Sequence, residues 1–255
     1  MLILALDTSS PAGSLAFLRD DSVIGTIGTT SGEIYSSRVF RHLDFLLSET
    51  SLRLEDFDLF AVAAGPGSFT GLRVGLAAVK GWSEVFRKPI AAISGLEAIS
   101  AVSGSHSAAV VPVMDARRNE LYWGVYARRE SGGAARFILD GDECAGPRAE
   151  FAKAVGNRAR SNEDLTIATP APELVSALLP DIHGSTPREK PIIVERVSPF
   201  LAPEIGRLGW IRAQEGKLCD SLTLDANYIR RSDAELHYAP KHKSALGAPK
   251  GSAGS

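Results

Sequence analysis

The chain has 255 residues, of which 44% are hydrophobic and 23% charged, proportions typical of a soluble globular protein with one large domain or two lobes. Its formal net charge of −2 excludes the strongly basic surface by which nucleic-acid-binding proteins are usually recognised. The cysteines, Cys144 and Cys219, lack metal-ligand spacing and predict reduced thiols in a cytoplasmic protein, and the opening MLILALD reaches an acidic residue too early for a signal peptide or a membrane span.

The first hundred residues predict alternating strands and helices. Residues 2–6 predict a strand, the polar segment 7–13 a tight turn, and residues 14–28 a hairpin that turns at Asp20 and Asp21. Apolar residues then change to helical spacing, which predicts a helix over 34–52. The next predicted elements are a strand over 57–64, a helix over 70–87 that ends before Pro89, a strand over 89–94 and a helix over 95–102.

The pattern of the opening segment begins again near residue 107. Residues 107–115 predict a strand that ends in Asp115, the segment ARRNE predicts a turn, and residues 121–129 predict the returning strand. A strand, an acidic residue, a turn and a second strand therefore occur twice, which indicates a duplicated lobe. We expect a first lobe over 1–105, a second, degenerate lobe over 106–238 that includes a helix over 199–216, and a disordered tail over 239–255. Residues 130–200 have no clear periodicity.

The segment AAGPGSFTGLRVGLAAVKG, residues 63–81, contains five glycines in an otherwise apolar run. A glycine inside a helix costs about 1 kcal/mol relative to alanine, so these glycines need another reason. The segment fits neither the Walker pattern nor the dinucleotide fingerprint, although a loop between a strand and a helix can bind an anion. Gly71 and Gly75 share a helical face and would allow another helix or backbone to approach, while Ser68 or Thr70 would cap the helix. The residues alone leave phosphate binding and close packing both open, and they favour packing.

Several motifs, in the right order, resemble the TsaB (YeaZ-type) family, which comprises non-catalytic relatives of the TsaD/Kae1 proteins. GPGSFTGLRVG resembles the family signature, ILALDTSS its opening strand and turn, ISGLEAIS the start of its next helix, and VPVMDARRNELYWGVY its second-lobe hairpin. AVGN and NYIRRSDAEL are fainter matches. The resemblance covers residues 1–129 well and the remainder in patches.

The resemblance implies an α/β, actin-like fold of the sugar kinase and Hsp70 type, with two lobes. It implies a non-catalytic subunit, without cofactor or metal, that supports TsaD in forming threonylcarbamoyladenosine at position 37 of tRNA, together with the ATPase TsaE. It places the binding of TsaD, or of a second copy of the chain when TsaD is missing, on the helices predicted over 34–52 and 70–87. Contact with tRNA is expected to be indirect or weak, and none with a membrane is expected. The interface residues expected on these helices are Tyr35, Arg38, His42, Gly71, Arg73 and Gly75.

The sequence departs from the family pattern at three points. Tyr35-Ser36 stands where His-Ser is frequent, Phe40-Arg41 stands where Leu-Pro is frequent, and Ala226 replaces the usual proline before the late Tyr-x-Arg. We therefore expect contacts with the partner to differ in detail.

Two enzymatic alternatives stay open on the residues alone. An actin-like ATPase or phosphotransferase would use Asp7, Thr8 and Ser9 of the first turn and Asp115 of the second to hold a nucleotide and magnesium. The second turn, DARRN, lacks the glycines and hydroxyls that such a turn uses. A metallopeptidase would need two histidines three or four residues apart on a helix, and no pair among the five histidines has this spacing.

Overall fold

A mixed five-stranded sheet forms the first half of the molecule. The computed structural model describes residues 1–30, 38–131, 134–160, 164–183 and 190–229. Within this sheet the strands run in the order β3-β2-β1-β4-β5, with β1–β2 and β2–β3 antiparallel and β1–β4 and β4–β5 parallel. The strands are β1 (Leu2–Asp7), β2 (Ala12–Arg19), β3 (Ser22–Thr30), β4 (Leu59–Gly65) and β5 (Ile90–Ser94).

Helices cover both faces of this sheet because its central strands are apolar on both sides. On one face, Leu4 and Leu6 of β1 pack with residues of helices α1 (Val39–Thr50) and α2 (Phe69–Phe86). On the other face, Ile3 and Ala5 pack with residues of helices α3 (Gly95–Val102) and α7 (Ala202–Gln214). The two helices predicted to bind a partner, α1 and α2, therefore lie on the same side of the first sheet.

The second half contains a seven-stranded sheet with a matching strand order. Its main path runs β10-β7-β6-β11-β12, and β8 pairs with both β6 and β9. The strands are β6 (Ala109–Arg117), β7 (Glu120–Trp123), β8 (Tyr126–Ser131), β9 (Ala134–Leu139), β10 (Cys144–Pro147), β11 (Leu165–Thr169) and β12 (Ile192–Arg196). The helices of this half are α4 (Arg148–Ala159), α5 (Glu173–Ser176) and α6 (Leu179–His183).

The two sheets repeat one topology, so the predicted duplication is confirmed. In each sheet, a central strand (β1 or β6) pairs with its antiparallel hairpin partner on one side. On the other side it pairs with a parallel strand, which in turn pairs with a second parallel strand. The copies differ in their crossovers: the 18-residue α2 joins β4 to β5, whereas the corresponding β11–β12 connection contains the short helices α5 and α6 within its described residues. The strand predicted over 121–129 is divided into β7 and β8 at Gly124 and Val125.

The C-terminal part of the described chain returns to the first sheet. Helix α7 packs against β1, β2, β4 and β5, although the sequence assigned it to the lobe of residues 106–238. Two glycines explain this close packing, since a Cβ on Gly206 would lie 2.2 Å from Leu18 Cδ1 and one on Gly209 would lie 2.9 Å from the Ala61 Cβ. The border at residue 105 falls between α3 and β6. The division of the chain into two lobes at residue 105 stays our proposal. In this proposal α7 and the residues after it belong to the lobe of the first sheet.

Some expectations concern residues outside the described ranges. The predicted tail over 239–255 lies outside them, and so do residues 34–37 of the helix predicted over 34–52; from residue 38 onward the structure forms the helix over Val39–Thr50. No helix in the described part of the chain has the length and hydropathy that crossing a bilayer requires.

Candidate partner surface and interlobe cleft

The glycine-rich segment begins where β4 ends and passes directly into α2. Gly65 has a φ of +127°, and an ideal Cβ there would lie 2.5 Å from the carbonyl oxygen of Asn227, so only glycine fits this position. Ser68 is the N-cap of α2, and its Oγ accepts a hydrogen bond from the Gly71 N–H at 3.3 Å. The N–H of Ser68 donates to the carbonyl of Ser9 at 2.7 Å, which joins the loop to the turn between β1 and β2.

Gly71 and Gly75 face the same turn. A Cβ on Gly71 would lie 2.1 Å from the carbonyl oxygen of Thr8, and one on Gly75 would lie 2.4 Å from Thr8 Oγ1. The Thr8 hydroxyl donates to the carbonyl oxygen of Gly71 at 2.7 Å. The predicted close approach therefore exists, but its partner is the β1–β2 turn of the same chain. This corrects the expectation that Gly71 and Gly75 make room for another helix.

A cavity of about 810 Å³ lies between the two halves, at the ends of β1 and β6. The turns that follow these strands line it from opposite sides, together with the beginning of α2 and the end of β11. Its polar lining is rich in hydroxyl groups and includes Thr8, Ser9, Ser68, Thr70, Asp115 and Thr169. Of the four predicted nucleotide-binding residues, the structure thus brings Thr8, Ser9 and Asp115 to one cleft.

Asp7 does not belong to this lining, because its side chain is buried beneath the turn. Its Oδ1 accepts hydrogen bonds from the N–H and the Oγ–H of Ser9 at 2.8 and 2.7 Å. Its Oδ2 is buried and has no hydrogen-bond partner among the described residues. Burial raises the pKa of Asp7, and the hydrogen bonds from Ser9 only partly oppose this shift. The carboxyl group supports the turn from below and does not face the cleft.

Asp115 lies near the end of β6, the strand that corresponds to β1, and its carboxylate contacts a neighbouring residue. Its Oδ1 accepts from the N–H of Arg117 at 2.8 Å, and its Oδ2 lies 3.4 Å from the Arg117 guanidinium. Arg117, Arg118 and Asn119 all have positive φ angles, of 64°, 52° and 62°. The second turn is therefore made of bulky residues in a left-handed conformation. The described residues contain no cluster of three His, Cys, Asp or Glu side chains that could hold a metal.

The outward faces of α1 and α2 expose apolar side chains. On α1, Phe40 and Phe45 are 54% and 53% exposed, although other residues of this helix are fully buried against the sheet. On α2, exposed residues follow one another at a spacing of four, which places them on one side of the helix. We name this set the outward stripe: Arg73, Ala77, Gly81 and Val85.

Gly81 is the glycine of the segment that faces outward. An ideal Cβ at Gly81 would have nothing within 4 Å among the described residues, in contrast to Gly71 and Gly75. No contact with the described residues requires a glycine at position 81. Gly81 nevertheless lies inside an 18-residue helix, where an alanine would make the helix more stable. Because Ala77 and Gly81 have small side chains or none, the surface of α2 is low along this part of the outward stripe. A helix of another molecule could approach closely there.

The remaining predicted interface residues differ in how far they are exposed to solvent. Arg73 is exposed on α2, and His42 is half-buried on α1. Burial lowers the pKa of His42, and the charges of Arg38 and Arg41 lower it further. Arg38 is only 5% exposed and its guanidinium donates to Thr29 Oγ1, which corrects its expected outward position. Tyr35 lies outside the described residues.

Sequence reasoning named Phe40 only as a departure from the family pattern, and it missed Phe45 and Gly81. A signal was present, because Phe40 and Phe45 do not fall on the apolar face formed by Val39 and Leu43 of the same helix. Large apolar side chains that are exposed together on a surface are typical of an interaction site.

The chain is similar to known proteins in both sequence and fold. The family model described as "TsaD: tRNA N6-adenosine threonylcarbamoyltransferase" matches residues 25–152, half of the chain. A Bacillus subtilis protein named "tRNA threonylcarbamoyladenosine biosynthesis protein TsaB" is 36% identical over 126 residues, 49% of this chain and 55% of that protein. The Escherichia coli protein of the same name is 31% identical over 134 residues, 52% of this chain and 58% of that protein. The matches thus span little more than half the length of these curated relatives.

Solved structures agree with this similarity. YeaZ from Pseudomonas aeruginosa superposes with a TM-score of 0.69 at 22% identity, over 89% of this chain and 100% of that one. A second Pseudomonas aeruginosa structure, described as similar to peptidase YEAZ, has a TM-score of 0.70 at 24% identity and covers 90% of this chain and 99% of its own. A ROK hexokinase from Thermus thermophilus, with a TM-score of 0.50 at 11% identity over 85% of this chain and 100% of that one, shares the fold. The predicted actin-like, sugar-kinase-type fold is therefore confirmed. The chain belongs to the TsaD family, and within it is a protein of the TsaB/YeaZ type.

Proposed function

We propose that this protein is a non-catalytic subunit that binds TsaD and supports it in forming threonylcarbamoyladenosine at position 37 of tRNA, with TsaE as the ATPase of the pathway. The names of the TsaB relatives support a place in this biosynthesis. The observation that carries the proposal is the outward face of α1 and α2, where exposed phenylalanines lie on the same side of the sheet as the outward stripe.

This face has the properties of a helix-packing surface. Phe40 and Phe45 offer large apolar areas, and burial of apolar surface is the main favourable term in protein association. Ala77 and Gly81 form a low strip along α2 into which the ridge of a facing helix can pack. Gly81 lowers the stability of α2 in the isolated chain. Close packing of a partner helix at this position would explain why a glycine is present there.

The geometry of the cleft supports a non-catalytic role. Phosphoryl transfer in actin-like enzymes needs acidic groups that face the cleft and turns that grip phosphate. Here Asp7 is buried beneath its turn, and Asp115 is bonded to Arg117, whose side chain is exposed at the cleft. Thr8, which begins the first turn, donates its hydroxyl hydrogen to the carbonyl oxygen of Gly71.

The other expected partners are a second copy of the chain, TsaE and tRNA. We propose that a second copy of the chain occupies the α1–α2 face when TsaD is missing, that TsaE and tRNA meet this subunit only through the complex, and that the protein works in the cytoplasm. The formal net charge of −2 supports the indirect contact with tRNA.

The test is the mass of the complex. We expect the purified chain mixed with its cognate TsaD to elute as a heterodimer, with the mass measured by light scattering with and without ATP. Phe45→Glu and Gly81→Leu should each abolish this complex, because one places a charge in the contact and the other fills the low strip. Ile193→Glu is the matched control, since Ile193 on β12 is also 53% exposed but lies in the second half.

The outcomes separate cleanly. Loss of the complex in the two helix variants, with retention in the control and unchanged circular dichroism, supports the proposal. A complex of unchanged affinity in both helix variants, or no complex with the wild-type chain, would overturn it.

A further inference from the structure

The residues after α7 form a strap across the first half of the molecule. We name residues 217–229 the C-terminal strap. Near its beginning, Cys219 pairs with Ile90 of β5 through two backbone hydrogen bonds of 2.8 and 2.9 Å. Ser221 Oγ then donates to Glu84 Oε2 on α2 at 2.6 Å. The strap is therefore attached to an edge strand and to the helix that carries the outward stripe.

Asn227 fixes the position at which the strap crosses the glycine-rich loop. Its backbone N–H donates to the carbonyl of Ala64 at 2.7 Å, and its side-chain amide donates to Glu143 Oε2 at 2.7 Å. Glu143 belongs to the loop between β9 and β10, and its Oε1 also accepts from the hydroxyls of Tyr126, at 2.6 Å, and Ser94. The missing side chain of Gly65 leaves the space through which the carbonyl of Asn227 passes. The strap is thus held on both sides immediately before Tyr228.

Tyr228 stacks at the beginning of α2. Its ring centroid lies 5.3 Å from that of Phe69, and its hydroxyl oxygen lies 3.4 Å from Arg73 Nε. The Arg73 guanidinium carbon also lies 3.7 Å from the centre of the Phe69 ring. Phe69 is 38% and Tyr228 42% exposed. We name Phe69, Arg73 and Tyr228 the aromatic cluster.

The aromatic cluster has unused binding capacity. Arg73 forms no ion pair with any residue of the described ranges, so its guanidinium can donate two hydrogen bonds to a carboxylate of another molecule. The rings of Phe69 and Tyr228 already hold it, so little side-chain entropy would be lost on binding. Tyrosine and arginine are the residue types most enriched where single side chains dominate an interface.

We propose that the aromatic cluster is an anchor site of the partner surface, which takes a carboxylate side chain and an adjoining apolar side chain of the partner protein. This inference rests on the proposed function, and it adds the C-terminal strap to a surface otherwise built from α1 and α2. Arg73 is the first residue of the outward stripe, so the cluster continues that surface without a gap. A protein partner fits better than RNA, because the three residues that follow Arg73 along the stripe, Ala77, Gly81 and Val85, carry no charge that could bind phosphate.

The experiment compares strap and stripe variants of the full chain in titrations against cognate TsaD, by isothermal calorimetry. We expect Tyr228→Ala and Arg73→Gln to weaken the affinity at least tenfold, and Tyr228→Phe to weaken it less than Tyr228→Ala because the ring is kept and only the contact of the hydroxyl with Arg73 is lost. Leu222→Ala is the matched control on the same strap, at a side chain that is 89% exposed. Gly81→Leu serves as the reference variant for the partner surface itself. Circular dichroism and thermal unfolding establish that each variant is folded.

Each outcome decides between the two proposals. If Gly81→Leu abolishes binding while Tyr228→Ala and Arg73→Gln bind as wild type, the anchor site is wrong and the proposed partner surface remains. If none of the variants changes the affinity, or the wild-type chain does not bind, both are overturned. If Tyr228→Ala and Arg73→Gln instead lose binding to labelled tRNA alone while their affinity for TsaD is unchanged, the cluster is an RNA site and the inference is wrong.

Discussion

The hydroxyl of Thr8 donates a hydrogen bond of 2.7 Å to the carbonyl oxygen of Gly71, and the close approach of Thr8 to α2 explains two of the five glycines, Gly71 and Gly75. It holds the turn after β1 against the first turns of α2, at a distance that a side chain on Gly71 or Gly75 would prevent. The glycines that look like a ligand loop in the sequence are therefore the place where two parts of the same lobe meet.

Two glycines of α2 should respond in opposite ways to the same substitution. Gly71→Ala places a methyl group 2.1 Å from the Thr8 carbonyl oxygen, so we expect it to reduce the free energy of unfolding by about 1–3 kcal/mol or more. Gly81→Ala meets no described atom within 4 Å and should stabilise the protein by up to about 1 kcal/mol. Urea unfolding followed by circular dichroism measures both, and a neutral Gly71→Ala would contradict the contact with Thr8.

Asp7 should make stability depend on pH in an unusual direction. Because burial raises its pKa above the ordinary value of 3.8, the folded state holds the proton more tightly than the unfolded state. The contribution of Asp7 to stability therefore falls as pH rises from 3.8 through the folded-state pKa. Asp7→Asn removes this loss, so we expect the stability of the variant relative to wild type to increase with pH over that window, by up to about 1.4 kcal/mol per pH unit.

Asp220 provides the control of opposite sign. Hydrogen bonds from the hydroxyl and N–H of Thr223 lower the pKa of Asp220 below 3.8. Its stabilising contribution is present above pH 3.8 and is lost as pH falls, so Asp220→Asn should become less stable relative to wild type as pH rises. Urea unfolding of both variants between pH 3 and 8 tests the pair, and parallel curves for the two would refute the role given to the burial of Asp7.

The purified chain should not hydrolyse ATP or modify tRNA by itself. The reason is that the acid of the first turn is buried and the acid of the second is bonded to Arg117. A phosphate-release assay on the pure protein checks this. Magnesium-dependent hydrolysis above trace contamination that disappears in Asp7→Ala would identify an active site and refute the non-catalytic role.

We expect no stoichiometric zinc or iron in the purified protein. The histidines of the sequence include no pair at the helical spacing that metal ligation requires. Elemental analysis after dialysis is the measurement. One tightly bound ion per chain would mean that ligands distant in sequence come together at a site, and would reopen the metallopeptidase alternative.

Much of the first half of the fold could be predicted because its signals are local. The strands of the opening hairpin, the strand before the glycines and the helix that stops before Pro89 each follow from periodicity and from proline or turn residues. The helix prediction over 70–87 differs from α2, Phe69–Phe86, by one residue at each end. The repeated pattern of a strand, an acid and a turn, at Asp7 and Asp115, correctly indicated the duplicated sheets, although β6 continues to Arg117, two residues beyond its acid.

The rest could not be predicted because it depends on contacts between distant residues. The sequence cannot tell whether Gly71 faces Thr8 or a second molecule, since both arrangements require the same missing side chain. The C-terminal strap has no periodic pattern, and its position depends on Asn227, Ala64 and Glu143, which come together only in the folded chain. Arg38 was expected on the outward face of its predicted helix, yet it is buried and its guanidinium donates to Thr29, which lies on β3 and outside that helix.

The unequal crossovers of the two sheets bear on how many copies of the proposed partner face one chain carries. The first sheet carries the 18-residue α2 between its parallel strands, while the corresponding connection of the second sheet contains, within its described residues, only the short helices α5 and α6. A chain with the same long helix on both halves would offer two equivalent docking faces, and such molecules can join end to end without limit. Because the partner face proposed here lies on one half alone, we expect assembly through it to stop at a pair.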